Sequence, residues 1–525
     1  MAVALLAVAS LLVAACTGSD DDADTPAATE GTVGSLPDGM VEVMDRDPYG
    51  HARWGVLVEP LDEGEPVVSR GAEELFGMGS NTKLYTVGTY LDAVGADHRI
   101  TTPVHQQGDD LVLVGMGDLV MGGRDAGADQ LGYSIPPQPD AGLLPGTKPA
   151  PGDPLAGLDD LAGQVAAAGV TEVPGDVVVD DRLFEPWSTQ GATISPIVVN
   201  DNLVAVEATP AEEGQPPTLR VVPETAAFTV ENRATTGAAG GDTTVALAPA
   251  ETDVEGDPEG STLVLSGEVP ADAEPFLTVF DVPDPASFAR TLFIEALQRA
   301  GVAVAADPTA GNDTGDLAPF GSEPGDPVAT LTGPTSAQVA TLIWKISFNV
   351  GANLLTCLLA VEGGSTECTD GLAAVHDRLG DIDVADEEVW MLNGAGAEFS
   401  STTPEAMVAW LRWMRDQDWG EDLEQMLPIM GVDGSLGLSQ QDTPSTGRIQ
   451  AKTGTWAGGD PGTGDLLLPG LGLAGFMQGP DGRDHVFAVY MNGATFPGDP
   501  GEAVLRSTFD MSDVAAALQQ ALPEA

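Results

Sequence analysis

The spacing of apolar positions changes along the chain in blocks, and each block predicts a different kind of element. Residues 54–59 and 66–70 are short β-branched runs flanking Asp62-Glu63-Gly64, which predicts two strands joined by a turn. After Gly77-Met78-Gly79 the spacing lengthens: Leu84, Val87, Leu91 and Val94 make one stripe of a helix beginning near Ser80. From about residue 97 to 325 the chain is rich in Gly and Pro, and short alternating runs at 110–114, 175–179, 203–207 and 226–230 predict strands. Helical spacing interrupts them at 158–168 and 285–300, and 137–154 is a Pro/Gly-rich loop. Gly115-Met116-Gly117-Asp118 reads as a strand-ending turn, because no Lys follows it at phosphate-loop spacing. Helical periodicity returns over 336–360 and 403–416. A β section then begins at Lys452, with a hairpin of 471–478 and 486–492 around Gly479-Pro480-Asp481-Gly482-Arg483, and a last helix spans 512–522. No internal repeat is evident.

The first residues belong to processing rather than fold. Residues 2–15 form an apolar run too short to span a bilayer, ending in Val13-Ala14-Ala15-Cys16, which looks like a lipobox with Cys16 as the lipidated residue. No Lys or Arg precedes the run, so plain secretion stands as the alternative. Residues 17–38, with Asp20-Asp21-Asp22, lack periodicity and read as a flexible tether. Export leaves Cys357 and Cys368 in a compartment that permits disulfides; a bridge and a pair of buried thiols both remain open.

Charge narrows the partners. Against 81 acidic residues stand 20 Lys and Arg, a net charge of −61. Such a surface repels nucleic acid and anionic headgroups, leaving the lipid anchor as the one predicted link to a membrane. The five histidines are scattered without metal-ligand spacing and read as surface or loop residues, so no metal or organic cofactor is expected.

Only four lysines occur: Lys83, Lys148, Lys345 and Lys452. Two lie in short signatures, Ser80-Asn81-Thr82-Lys83 and Lys452-Thr453-Gly454, and Lys345 stands two residues before Ser347-Phe348-Asn349. A serine hydroxyl needs a base within reach, and no G-x-S-x-G elbow or His motif supplies one. Ser80 and Lys83, at i and i+3, share a helix face, so the amine can take the proton if its pKa is lowered. Ser347 would then relay the proton to a leaving amine, and Asn349 would hold a substrate amide. Lys452, Thr453 and Gly454 would bind a carboxylate or developing charge, and the Ser80 and Thr455 N–H groups would form an oxyanion hole. Each signature alone is weak; their order and contexts in a lysine-poor chain make them specific.

The chain resembles the low-molecular-mass class C penicillin-binding proteins, D-Ala-D-Ala carboxypeptidases and endopeptidases with S-x-x-K, S-x-N and K-T-G motifs. Beyond the motifs, GVTEVPGDVVVDDRLF (169–184), SPIVVNDNL (195–203), LPIMGVDGSL (427–436), GRIQAKTGT (447–455) and LAGF (473–476) carry the resemblance. It implies an α/β (α+β) fold: a β-lactamase/transpeptidase-like domain built from both chain ends (39–96 and 326–525), with one or two mostly β domains inserted at 97–325, after a signal segment (1–16) and linker (17–38). It further implies an exported serine peptidase acting on peptidoglycan stem peptides and acylated by β-lactams. A serine β-lactamase and a non-catalytic cell-wall binding protein are the alternatives. Two departures stand out: Phe348 replaces the family's usual Asp, and Asn393-Gly394-Ala395-Gly396-Ala397-Glu398-Phe399 lacks an arginine that helps some relatives recognise the peptide side chain.

The acidic excess with few lysines and aromatics points to a salt-adapted organism, because self-repulsion of this size opposes compaction until ions screen it. Thermal unfolding midpoints are expected to rise between low and molar salt; level midpoints would remove that reading.

Overall fold

In the computed structural model, residues 34–62, 64–142, 146–189, 191–250, 261–322 and 325–523 are described; Cys16 and most of the linker lie outside them. Strand pairing across the whole chain length organises the structure. Arg53–Pro60 runs antiparallel to Asp484–Asn492 over eight residue pairs, from Arg53 with Asn492 to Pro60 with His485. The sheet continues in the order Val68–Arg70, Arg53–Pro60, Asp484–Asn492, Leu466–Gln478, Ile449–Gly459, with Ala494–Phe496 paired to Leu466–Gln478. Strand Asp484–Asn492 is apolar throughout its centre because both of its faces are covered. Val486, Ala488 and Tyr490 join a core with Tyr85 and Trp410, whereas Phe487, Val489 and Met491 join another with Met511, Val514 and Leu518. Helices Thr82–Val94 and Pro404–Arg415 thus lie on one side of the sheet, and the C-terminal helix Pro500–Ala521 on the other.

The intervening region has a core of its own. Ala329–Thr335, Arg99–Gln107, Asp110–Val114 and Val177–Asp180 form one sheet in that order; Thr218–Val222, Leu203–Thr209 and Phe276–Asp281 form another. Helices Ala156–Ala167 and Pro285–Arg299 supply Leu158, Leu161, Leu292 and Phe293 to the shared interior.

A buried ion pair inside this region holds the arginine that reaches out to the rest. Arg124 and Asp201 are each about 5% exposed, and the Arg124 guanidinium donates from Nε to Asp201 Oδ1 at 3.1 Å, with a second, shorter contact to Oδ2. The same guanidinium lies 5.4 Å from the centre of the Phe348 ring. Phe348 is itself buried, so the residue that replaces the usual Asp serves as a packing anchor between the inserted region and the second signature.

Three expectations are corrected. The helix read over 336–360 is two helices, Ser336–Ile346 and Asn349–Glu362, because Ser347 takes a left-handed conformation (φ 58°) that ends the first. The last helix begins at Pro500 rather than 512: Asp499 caps it through a hydrogen bond from the Glu502 N–H, and Pro500 fits the first turn. His485 is neither surface nor loop; it is 1% exposed inside a central strand. Cys357 and Cys368 are bonded as a disulfide, joining Asn349–Glu362 to the segment before helix Asp370–Asp381.

Removing one partner of a buried ion pair strands the other. Asp201→Asn is expected to lower unfolding free energy by about 3 kcal/mol in denaturant titrations; a variant as stable as the parent would show that Arg124 finds other acceptors.

Candidate active site

A 3-10 turn, Gly79–Asn81, leads into helix Thr82–Val94, so Ser80 stands just ahead of the helix and Lys83 within its first turn. Two glycines set the depth of this turn. Gly79 has φ +50°, and a Cβ there would lie 2.6 Å from Thr455 N. A Cβ on Gly454 would come within 2.0 Å of Met78 O. Only glycine at both positions lets the Ser80 turn press against strand Ile449–Gly459. Asn81 reinforces the contact, its Nδ2 donating to Lys452 O at 2.6 Å.

The three signatures meet here. Lys83 Nζ lies 2.8 Å from Ser80 Oγ, 2.7 Å from Asn349 Oδ1 and 2.7 Å from Ala395 O. Lys452 Nζ donates to Ser347 Oγ at 2.9 Å and to Thr453 O at 2.8 Å. Both lysines are fully buried. Burial, and then the neighbouring Lys452 charge, hold the Lys83 amine well below the usual lysine range. Burial likewise lowers Lys452, to about 7. A neutral Lys83 keeps two N–H groups for Asn349 and Ala395 and turns its lone pair toward the Ser80 hydroxyl, the arrangement a proton acceptor needs.

The strained Ser347 backbone is what aims its hydroxyl at Lys452; left-handed non-glycine residues concentrate at functional sites. Lys345, read from sequence only as a neighbour of the motif, does not reach the nucleophile. Its Nζ bonds Leu427 O at 2.6 Å and the two Asp433 oxygens at 2.7 and 2.8 Å. Asp433 Oδ1 in turn accepts from Ile429 N at 3.0 Å, and Ile429 bridges to Gln450 beside the third signature. Lys345 therefore fixes the second signature's helix against the approach to the third.

Ser80, Ser347, Asn349, Thr453 and Thr455 line one cavity of about 300 Å³. Two further lining residues carry chemistry that sequence reasoning did not single out. Ser435, within the LPIMGVDGSL stretch, places Oγ 3.0 Å from Thr453 Oγ1. Asp140 comes from the Pro/Gly-rich loop; burial pushes its carboxyl up to about 6, against the opposing pull of Lys83 and Lys452. Phe399, where some relatives carry arginine, packs its ring 4.9 Å from Trp390 and 5.0 Å from Trp456, the residue after Thr455. That corner is aromatic where an arginine would have made it cationic.

Comparison with known proteins bears on this arrangement. The model of the D-Ala-D-Ala carboxypeptidase 3 (S13) family matches residues 39–511. The chain is 28% identical to a D-alanyl-D-alanine carboxypeptidase of Actinomadura sp. (strain R39), the match covering 84% of this chain and 78% of that one. Its fold resembles penicillin-binding protein 4 (dacB) from Haemophilus influenzae, with a TM-score of 0.64 at 16% identity over 92% of this chain and 99% of that one. The same protein complexed with a β-lactam gives 0.63.

Gly79→Ala should displace the Ser80 turn from Thr455 and cut acylation by about 100-fold, the scale expected for an ångström-sized misplacement. Stopped-flow acylation by a chromogenic β-lactam would measure it; a rate within threefold of the parent would show that the turn tolerates a side chain.

Proposed function

Because the chain belongs to the D-Ala-D-Ala carboxypeptidase 3 (S13) family, we propose that it is a serine D-Ala-D-Ala carboxypeptidase or endopeptidase that cleaves peptidoglycan stem peptides through an acyl-enzyme. The observation that carries the assignment of roles is the 2.8 Å contact between Lys83 Nζ and Ser80 Oγ, with the amine buried and its proton affinity lowered.

Ser80 Oγ attacks the carbonyl of the penultimate D-Ala as Lys83 takes its proton. The backbone N–H groups of Ser80 and Thr455 receive the developing oxyanion, where preorganised donors in a dry site act most strongly. Ser347 passes a proton to the departing amine, either D-Ala or a cross-linking amine. Asn349 holds the substrate amide, and Lys452, Thr453 and Gly454 hold the terminal carboxylate. Water then releases the acyl group. A β-lactam acylates Ser80 by the same route, because its strained amide imitates the scissile bond. The terminal sequence supports export, with Cys16 as a lipid-anchoring residue that holds the enzyme on the outer face of the membrane opposite the cell wall.

Intact-protein mass spectrometry after incubation with a fluorescent penicillin, at several salt concentrations, tests the reading. One adduct per chain is expected, absent in Ser80→Ala. Lys83→Ala should slow its formation by about 100- to 10,000-fold, the range for loss of a general base. No adduct at any salt concentration would overturn the enzymatic reading in favour of a binding protein that keeps the fold.

A further inference from the structure

An acyl-enzyme must still be hydrolysed, and the residues so far assigned leave that step without a base of its own. Lys83 is already engaged with Ser80, Asn349 and Ala395, and Lys452 with Ser347 and Thr453. Among the described residues, the remaining titratable group on the cavity wall, apart from the ion-paired Lys345, is Asp140.

Asp140 is held there by construction. It ends the 3-10 turn Gln138–Asp140, and its N–H bonds Pro137 O at 3.0 Å. Gln138 is buried and anchors the turn: its Oε1 accepts from Ala150 N at 2.9 Å, and its Nε2 reaches Asn200 Oδ1 at 3.4 Å. Arg124, itself locked to Asp201, donates to Gly132 O at 3.2 Å, which fixes the start of the same loop. Ile135, Pro136, Pro137 and Asp140 thereby become a wall of the cavity that contains Ser80. Among the described residues the Asp140 carboxylate has no hydrogen-bond donor and no ion-pair partner within 4.0 Å, so none of them consumes its lone pairs. Its charged neighbours are Lys83 from the nucleophile's helix and Lys452 from the third signature's strand, with Lys345 on the same cavity already neutralised by Asp433.

We propose that Asp140 is the base that activates water to hydrolyse the Ser80 acyl-enzyme, an inference that rests on the acyl-enzyme reading above. In this step the water oxygen bonds the ester carbonyl carbon while one of its protons passes to the Asp140 carboxylate. The bond from that carbon to Ser80 Oγ then breaks. Oγ regains a proton through Lys83, which is refilled from the protonated Asp140, and the product carboxylic acid releases its own proton to solvent. Asp140, Lys83 and Ser80 return to their starting states. With its proton affinity pushed by burial up to about 6, the carboxylate is a stronger base than an ordinary Asp, as a general base for water requires.

The test separates the two halves of the reaction in the full-length protein. Formation and decay of the fluorescent-penicillin adduct are timed by mass spectrometry for the parent, Asp140→Asn and Asp140→Ala. The adduct should form in the variants within a few-fold of the parental rate, which also reports that they fold, but decay about 100-fold more slowly or worse. High formate should shorten the Asp140→Ala adduct lifetime where equal chloride does not. Decay within twofold of the parent overturns the proposal, as does a loss confined to adduct formation, which would make Asp140 a counter-ion for the lysine pair. Slower acylation by stem peptide with unchanged adduct decay would assign it to substrate recognition instead. A parent that never forms an adduct overturns the acyl-enzyme reading and this inference together.

Discussion

Two buried ammonium groups beside one cavity repel each other, and each also loses its hydration; the organisation of the site follows from how that conflict is divided. Lys83 and Lys452 are both fully buried, and no carboxylate forms a salt bridge with either among the described residues. The conflict is eased if one lysine gives up its proton. Lys83 carries the larger pressure, since the Lys452 charge adds to its own burial. It therefore becomes the amine with a free lone pair, and Lys452 the one that keeps a cationic character for an incoming carboxylate. Asp140 acts on both, yet accepts a hydrogen bond from neither, so it moderates the repulsion without quenching the chemistry.

Holding that pair in place takes contacts drawn from the entire chain. The nucleophile's turn seats on the third signature only through Gly79 and Gly454, and the strand carrying that signature belongs to a sheet closed by residues more than 400 positions apart, as in the pairing of Arg53 with Asn492. The second signature is fixed from two directions. Lys345 and Asp433 clamp the helix before it, and Phe348 lies under the Arg124 guanidinium whose partner is Asp201. A buried pair of this kind contributes little net stability against apolar replacements, but its loss leaves an uncompensated charge. Its consequence here is positional: the inserted region and the Ser347 turn share one anchor.

The chemistry was legible in the sequence to the extent that it is local. Ser80 and Lys83 are three residues apart, and their contact follows from helical geometry. The meeting of Ser80 with Ser347 and Lys452 was readable only through resemblance, since no local rule brings together positions separated by 267 and 105 residues. Periodicity could not find the helix break at Ser347, because Ile343, Ile346, Val350 and Leu354 continue an apolar stripe straight through it. The start of the last helix was hidden by Pro500 and Gly501, which read as loop residues until Asp499 is recognised as a cap. Asp140 gave no signal at all. It is one acidic residue among 81 Asp and Glu, in a loop without period, and only the anchoring of Gln138 brings it to the cavity.

The scarcity of lysine acquires a physical meaning once the structure is considered. Three of the four lysines, Lys83, Lys345 and Lys452, have no measurable exposure, so their amines sit where solvent ions screen them least. On the surface, molar salt shrinks the screening length to about 3 Å and makes exposed ion pairs weak. Inside the site the buried lysines interact with one another, with Asp140 and with Asp433. A surface can therefore be rebuilt around acidic groups to remain soluble in concentrated salt, while the proton affinities that set the reaction are governed by burial and by neighbours a few ångströms away. Lys148 is exposed, whereas the three lysines at the signatures are buried where salt screens them least.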